Sequence, residues 1–273
     1  MKTKEYLMIV LVTFIFFSSC KNIPKHEAVD ILYLHHSTGG MIWKGESSNS
    51  RKGDLEAMFT SYNKAEGLNY KIVQMEFPKA NPYGWNNYPF DYYNIWVKNG
   101  GNNPYMEEPT LEILTGKYDV IMFKHCFPVS NIQEDSDSAD IDSDIKTIGN
   151  YKLQYEALRN KLNDYPDTKF IVWTGAVQVH TAIREDEALR AREFFSWVVN
   201  EWDIPGDNIY VWDFYKLETE GGLYFKEEYA ASATDSHPNR SFAGKAAKLL
   251  FNRIVDVIET DGNGTTLTGE MRE

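Results

Sequence analysis

Short apolar runs recur along the chain at Ala28 to Leu34, Lys71 to Met75, Tyr118 to Phe123, Lys169 to Trp173 and Asn208 to Trp212. Each is rich in Val, Ile and aromatic residues without strict alternation, the pattern of strands buried on both faces of a parallel sheet. Helical stretches lie between them: Gly53 to Ala65 after the first run, Tyr151 to Asp164 before the fourth, and Arg184 to Trp202 before the fifth. The clearest helix is the last, where Phe242, Ala246, Leu249, Leu250, Ile254, Val257 and Ile258 form one apolar stripe at helical period. Strands alternating with helices predict an α/β fold, doubly wound and flavodoxin-like, with three α/β/α layers around a five-stranded parallel sheet. In such folds ligands sit beyond the carboxyl ends of the strands, so the loops there are where chemistry is expected.

Two stretches break the alternation. Phe77 to Tyr105 is a long connection with nine aromatic residues in 29, and Gln133 to Asp144 is strongly acidic, read as a solvated loop because it lacks the central Gly and terminal Glu of a calcium loop. The polar stretch from 260 to 273 is expected to be a disordered tail, which bounds the α/β domain at residues 28–259.

The chain has 273 residues, 42% hydrophobic and 14% aromatic, with a net charge of -12. That length buries a sizeable core, and the acidic balance argues against a phosphate-binding surface, so no nucleic-acid partner is expected. Only Cys20 and Cys126 are present, which leaves no disulfide framework and no Cys-rich zinc site.

Lys2 and Lys4 precede an apolar run from Tyr6 to Phe17, followed by Ser18, Ser19 and Cys20. The run is short for a membrane span and reads as a signal peptide over residues 1–19. Its small residues before a cysteine resemble a bacterial lipobox, which implies lipidation at Cys20, a linker over 20–27 and anchorage to a membrane in the bacterial cell envelope. An ordinary cleaved signal with Cys20 incidental is the alternative.

The first strand runs into His35-His36-Ser37-Thr38-Gly39-Gly40, and the last helix is preceded by Thr234-Asp235-Ser236-His237-Pro238-Asn239. A serine needs an imidazole to take its proton and a carboxylate to orient that imidazole, and the two ends of the domain supply all three. Ile31 to Ser37 resembles the first block of SGNH (GDSL-type) hydrolases, and His237-Pro238-Asn239 with Gly244 resembles that family's last block. The resemblance implies Ser37 as nucleophile and His237 as general base. His35-His36 replaces the family's Gly-Asp. Thr234 stands three residues before the histidine, where the family has Asp, and Asp235 only two before, so either Asp235 or a backbone carbonyl orients His237. Lys124-His125-Cys126-Phe127 aligns with the third block, putting Cys126 at the place of an oxyanion-stabilising Asn. Oxyanion donors are then expected from the Ser37 N–H, from Gly84, which resembles the second-block Gly, and from Lys124 in preference to Asn131.

Competing readings accompany these residues. Ser37-Thr38 suits a helix cap, and Cys126 suits a small buried apolar residue. His35 and His36 point to opposite faces, one toward the core and the other, His36, toward substrate. His125 and His180 follow strands at the same edge and are candidates for substrate contact, as are Tyr83 and Trp85. A metal site built from His35, His36, His125 and Asp235 has no fixed ligand spacing behind it. Neither metal nor cofactor is expected, since no phosphate loop or dinucleotide fingerprint is present. The reading is a serine esterase that removes small acyl groups, acetyl foremost, from a carbohydrate, whose rings stack on aromatic side chains. Hydrolysis of lipid acyl esters, or a non-catalytic glycan-binding lipoprotein with a degenerate fold, are the alternatives.

Overall fold

A computed structural model describes residues 28–47, 53–84, 86–135 and 138–273. Five parallel strands form the sheet: β1 (Val29–His35), β2 (Tyr70–Glu76), β3 (Val120–Phe123), β4 (Lys169–Trp173) and β5 (Ile209–Trp212), in the order β2-β1-β3-β4-β5. β3 is buried at every position and β4 at all but its first, as expected of strands covered on both faces, whereas the edge strand β2 alternates. The expected doubly wound α/β fold is thus the observed one.

One helical layer is made by α1 (Ser37–Lys44), α2 (Asp54–Glu66) and the long α8 (Arg240–Thr260), which pack on one another. The other holds α3 (Pro89–Tyr92), α5 (Ile148–Asn163) and α6 (Glu185–Trp197), while the short α4 (Leu111–Thr115) and α7 (Phe214–Thr219) lead into β3 and out of β5. The single helix expected to run to Trp202 changes at Val198 to a wider π-helical turn.

The aromatic connection 77–105 is mostly core. Phe77 packs on Tyr92 and Trp96 at 5.3 and 5.2 Å between ring centroids, and both of those rings pack on Phe123 of β3. Tyr88, Tyr92, Tyr93 and Trp96 are all buried. A Trp or Tyr ring buries a large apolar area, so these rings join α3, α5 and α6 in closing this layer.

The C-terminal residues correct the expectation of a disordered tail. Thr265 and Thr268 are buried, Asp213 donates its N–H to the Leu267 carbonyl at 2.8 Å, and the Trp212 indole donates to the Thr268 carbonyl at 3.0 Å. Asp256 of α8 accepts from the N–H groups of Gly264 and Thr265 at 2.7 and 2.8 Å. The polar residues read as solvated are the ones that satisfy these buried groups, and the domain extends through them.

No helix among the described residues is long and apolar enough to cross a membrane. Cys20 and the rest of residues 1–27 lie outside the described residues.

Candidate active site

The strand order reverses at β1, so the carboxyl ends of β1 and β3 open onto a common crevice. Ser37 follows β1 and is exposed, while Cys126, three residues past β3, is buried. Their side chains meet there, Ser37 Oγ lying 3.9 Å from Cys126 Sγ. Ser37 is the first residue of α1. The N-cap is His36, with no side-chain capping bond, so the serine hydroxyl is not a helix cap.

α1 starts abruptly because β1 feeds it directly, and Gly39 permits this. A Cβ at Gly39 would come within 2.5 Å of the His35 Cβ and 2.8 Å of the Tyr33 hydroxyl oxygen, separations that real side chains do not tolerate.

The two histidines before Ser37 are supports. His35 lies on the Tyr33 ring at 4.6 Å and bonds the Gln74 side-chain oxygen through Nε2 at 2.8 Å. Burial lowers its pKa to about 4. His36, expected to contact substrate, is buried and donates Nε2–H to the Pro78 carbonyl at 2.5 Å, tying the second connection to the head of α1. Burial also lowers its pKa, so both imidazoles stay neutral near pH 7.

On the other side of the crevice a hairpin of β6 (Ala230–Ser232) and β7 (Asp235–Pro238) packs against α1. Alternation along β7 puts Asp235 and His237 on one face and Ser236 on the other. Asp235 Oδ1 stands 2.6 Å from His237 Nδ1 and accepts the His237 backbone N–H at 3.0 Å. That backbone bond, then the imidazole bond, holds the Asp235 carboxyl below the ordinary carboxylate range. Ser236, buried, accepts the Val179 N–H at 3.0 Å and fixes the hairpin to the loop after β4. The Phe127 ring meets the edge of His237 at 5.2 Å. Asn239 then caps α8, accepting the Phe242 N–H at 3.0 Å.

The two halves are neighbours, but Ser37 and His237 share no hydrogen bond among the described residues; the Ser37 hydroxyl faces the thiol.

The other expected residues divide. Lys124, the preferred oxyanion donor, is 1% exposed, and its Nζ donates to Cys126 Sγ at 3.5 Å, so the sulfur stands between it and Ser37. Gly84 is exposed and has φ +84, a conformation suited to glycine. Tyr83 is half-buried and its hydroxyl accepts from Asn94 at 3.0 Å, which makes it a loop support. Trp85 lies outside the described residues. His125 is not at the surface: it is fully buried, bonds the Tyr155 hydroxyl at 2.6 Å, and burial lowers its pKa to about 3. His180 is exposed beside Tyr224, in a segment whose Thr181 bonds the Ala233 carbonyl at the hairpin tip. Asn131 accepts from Gln178 at 3.3 Å.

His35, His125 and Asp235 have separate partners, and no group of three His, Cys, Asp or Glu side chains among the described residues is placed to hold a metal ion. A cavity of about 750 Å³ lined by Lys169, Asp203, Tyr210 and Arg253 lies at the amino ends of β4 and β5, the edge opposite Ser37.

Sequence reasoning missed two residues that shape the crevice. Asn87 is buried with φ 56, and its carbonyl accepts the Cys126 N–H at 2.9 Å. The Asn-Asn pair at 86–87 marks a left-handed loop position and was the available signal. Glu218, fully buried, accepts the Val177 N–H at 3.0 Å, and burial pushes its carboxyl well above the usual range against the opposing pull of that bond and of the Lys124 charge. Nothing in the sequence around Glu218 announces this.

No known protein family and no curated protein matches the chain. Among solved structures, it is similar to a family two carbohydrate esterase from Cellvibrio japonicus, at 12% identity and a TM-score of 0.43, over 85% of this chain and 62% of that one. It is also similar to a gut microbial diltiazem-metabolizing enzyme, at 9% and 0.45 over 82% and 46%. A third is the periplasmic domain of a lipopolysaccharide acetyltransferase from Salmonella ser. Paratyphi A, at 13% and 0.41 over 86% and 85%. The chain therefore spans less than two thirds of the first two. At such identities and TM-scores the chemistry rests on the geometry of the crevice itself.

Proposed function

We propose that the chain is a serine esterase of SGNH type, with Ser37 as nucleophile, His237 as general base and Asp235 as the group that orients His237. The observation that carries this is the His237–Asp235 pair, 2.6 Å apart on β7 and packed against the helix that Ser37 heads. In the reaction Ser37 Oγ bonds to the ester carbonyl carbon as His237 Nε2 takes the hydroxyl proton, and the proton passes to the departing alcohol as the acyl–oxygen bond breaks. Water then repeats the sequence on the acyl-enzyme, releasing the acid. Rotation about χ1 of Ser37, among staggered positions of similar energy, redirects Oγ from the thiol when substrate binds.

Within this reading we assign the substrate as an acylated carbohydrate, with acetyl as the acyl group. With Tyr88, Tyr92, Tyr93 and Trp96 buried, stacking on a sugar falls to Trp85. The envelope location rests on the signal-like residues 1–20.

The facing of Ser37 Oγ toward Cys126 Sγ favours a second reading, a glycan binder without turnover. Incubation with a fluorophosphonate probe separates the two. Labelling of Ser37 that disappears in His237→Ala supports the esterase, and an unlabelled, properly folded chain overturns it.

A further inference from the structure

Lys124 is 1% exposed, yet its ammonium makes a single hydrogen bond among the described residues, to Cys126 Sγ at 3.5 Å. Burying an ammonium is strongly unfavourable without good partners, and a thiol sulfur is a weak acceptor. Glu218 feels the Lys124 charge but makes no ion pair with it. One of its oxygens takes the Val177 N–H, and the other has no hydrogen-bond partner among the described residues. The Lys124 side chain is therefore held in the fold without an ion pair among the described residues, two residues from the crevice.

The same sulfur lies 3.9 Å from Ser37 Oγ. Its position is fixed by the main chain: the Cys126 N–H bonds the Asn87 carbonyl at 2.9 Å, and the Cys126 carbonyl accepts the Val129 N–H at 2.9 Å. An ammonium, a thiol and the proposed nucleophile thus stand in series, each in hydrogen-bonding range of the next. A sulfur that accepts from an ammonium keeps its own S–H as a donor, and donation into it polarises that S–H.

We propose that Lys124 is a positioning residue acting through Cys126, and that Cys126 is a catalytic residue: the lysine holds the thiol so that its S–H meets the negative charge that develops beside Ser37 during attack on an ester. This rests on the serine esterase reading. The thiol is the contact and the buried cation is its support, which gives a reason for a lysine where an apolar side chain would cost less to bury. No bond to sulfur forms or breaks in this role.

The test is steady-state hydrolysis of 4-nitrophenyl acetate by the purified chain and by Cys126→Ala, Cys126→Ser, Lys124→Met and the Lys124→Met/Cys126→Ala double variant. Loss of one hydrogen bond to a developing charge predicts that Cys126→Ala lowers kcat about ten- to a hundredfold with KM within about twofold. Cys126→Ser, which keeps a donor, retains most of the turnover. Lys124→Met lowers kcat on its own but adds little once the thiol is gone. The proposal is overturned if Cys126→Ala turns over like the parent, or if Lys124→Met costs the same factor with and without the thiol. Should Lys124→Met fail to fold, the contrast between Cys126→Ala and Cys126→Ser decides alone. A parent chain that neither hydrolyses the ester nor labels at Ser37 overturns the esterase reading itself, an outcome distinct from an active parent indifferent to Cys126.

Discussion

Asp235 and His237 sit two residues apart on one face of β7, their side chains joined at 2.6 Å, and the same carboxylate oxygen accepts the histidine's own backbone N–H at 3.0 Å. The carboxylate is thereby bound to the histidine twice, once through the ring and once through the main chain. Strand alternation does the work that a longer loop would otherwise have to do.

This pair is open to solvent, with the Asp235 side chain 52% exposed, which weakens its electrostatic hold on an imidazolium. Asp235→Asn is therefore expected to reduce kcat/KM by about ten- to a hundredfold, and His237→Ala by more than that. Both are read by ester hydrolysis at one pH. Equal losses would instead indicate a tightly coupled triad.

Ser37→Ala is expected to abolish turnover while moving Tm by no more than about 2 °C. The side chain is exposed and caps no helix, so its removal is a surface change of roughly 0.5 kcal/mol or less. Calorimetry beside the activity assay checks both halves, and residual turnover near the parent level would remove Ser37 as nucleophile.

His125 ties stability to pH. Its folded pKa of about 3 lies below the ordinary 6.5 of an unfolded chain, so between those values the unfolded state binds the extra proton. Stability present at neutral pH is then lost as pH falls. Relative to His125→Phe, the parent should lose about 2 kcal/mol between pH 7.5 and 5. Urea unfolding of both proteins at the two pH values measures this, and the other titrating groups cancel in the difference. A pH-independent gap would mean that the imidazole is not held neutral.

A chain ending at Thr260 removes every donor that residues 261–273 give to Asp256 and the carbonyls that receive Asp213 and Trp212. Several buried polar groups left unpaired cost about 3 kcal/mol or more, so Tm is expected to fall by roughly 6 °C or more. An unchanged melting curve would return the tail to the role of a passenger.

Trp85→Ala addresses the carbohydrate. Its loss should reduce activity on an acetylated oligosaccharide at least about tenfold more than on an aryl acetate, because remote binding energy positions the acyl group only when a sugar is present. Proportional loss on both substrates, or a markedly lower Tm, would mark the ring as structural and leave the substrate class open.

The strands, the helices and their order were legible along the chain because burial on both faces of a parallel sheet demands continuous apolar runs, and a docked helix demands a stripe. Ile31 to Leu34 and Phe242 to Ile258 meet those demands locally. Ser37, His237 and Asp235 were legible too, since each follows or precedes such an element at the edge where crevices form. The hairpin of β6 and β7 was not: Ala-Ala-Ser and Asp-Ser-His-Pro carry little strand propensity, and their pairing depends on Ser236 reaching Val179. Only the tertiary structure decided which side chains face the crevice. His125 and the aromatics of 77–105 have the residue types of a binding site, and His36 stands beside the nucleophile. His125, His36 and the rings of Phe77, Tyr88, Tyr92, Tyr93 and Trp96 are turned inward because the layer over β3 needs their volume and the head of α1 needs an anchor at Pro78. The contact of Ser37 with Cys126, 89 positions along the chain, follows from the reversal of strand order at β1. That reversal is a property of the whole sheet, and no local pattern in the sequence encodes it.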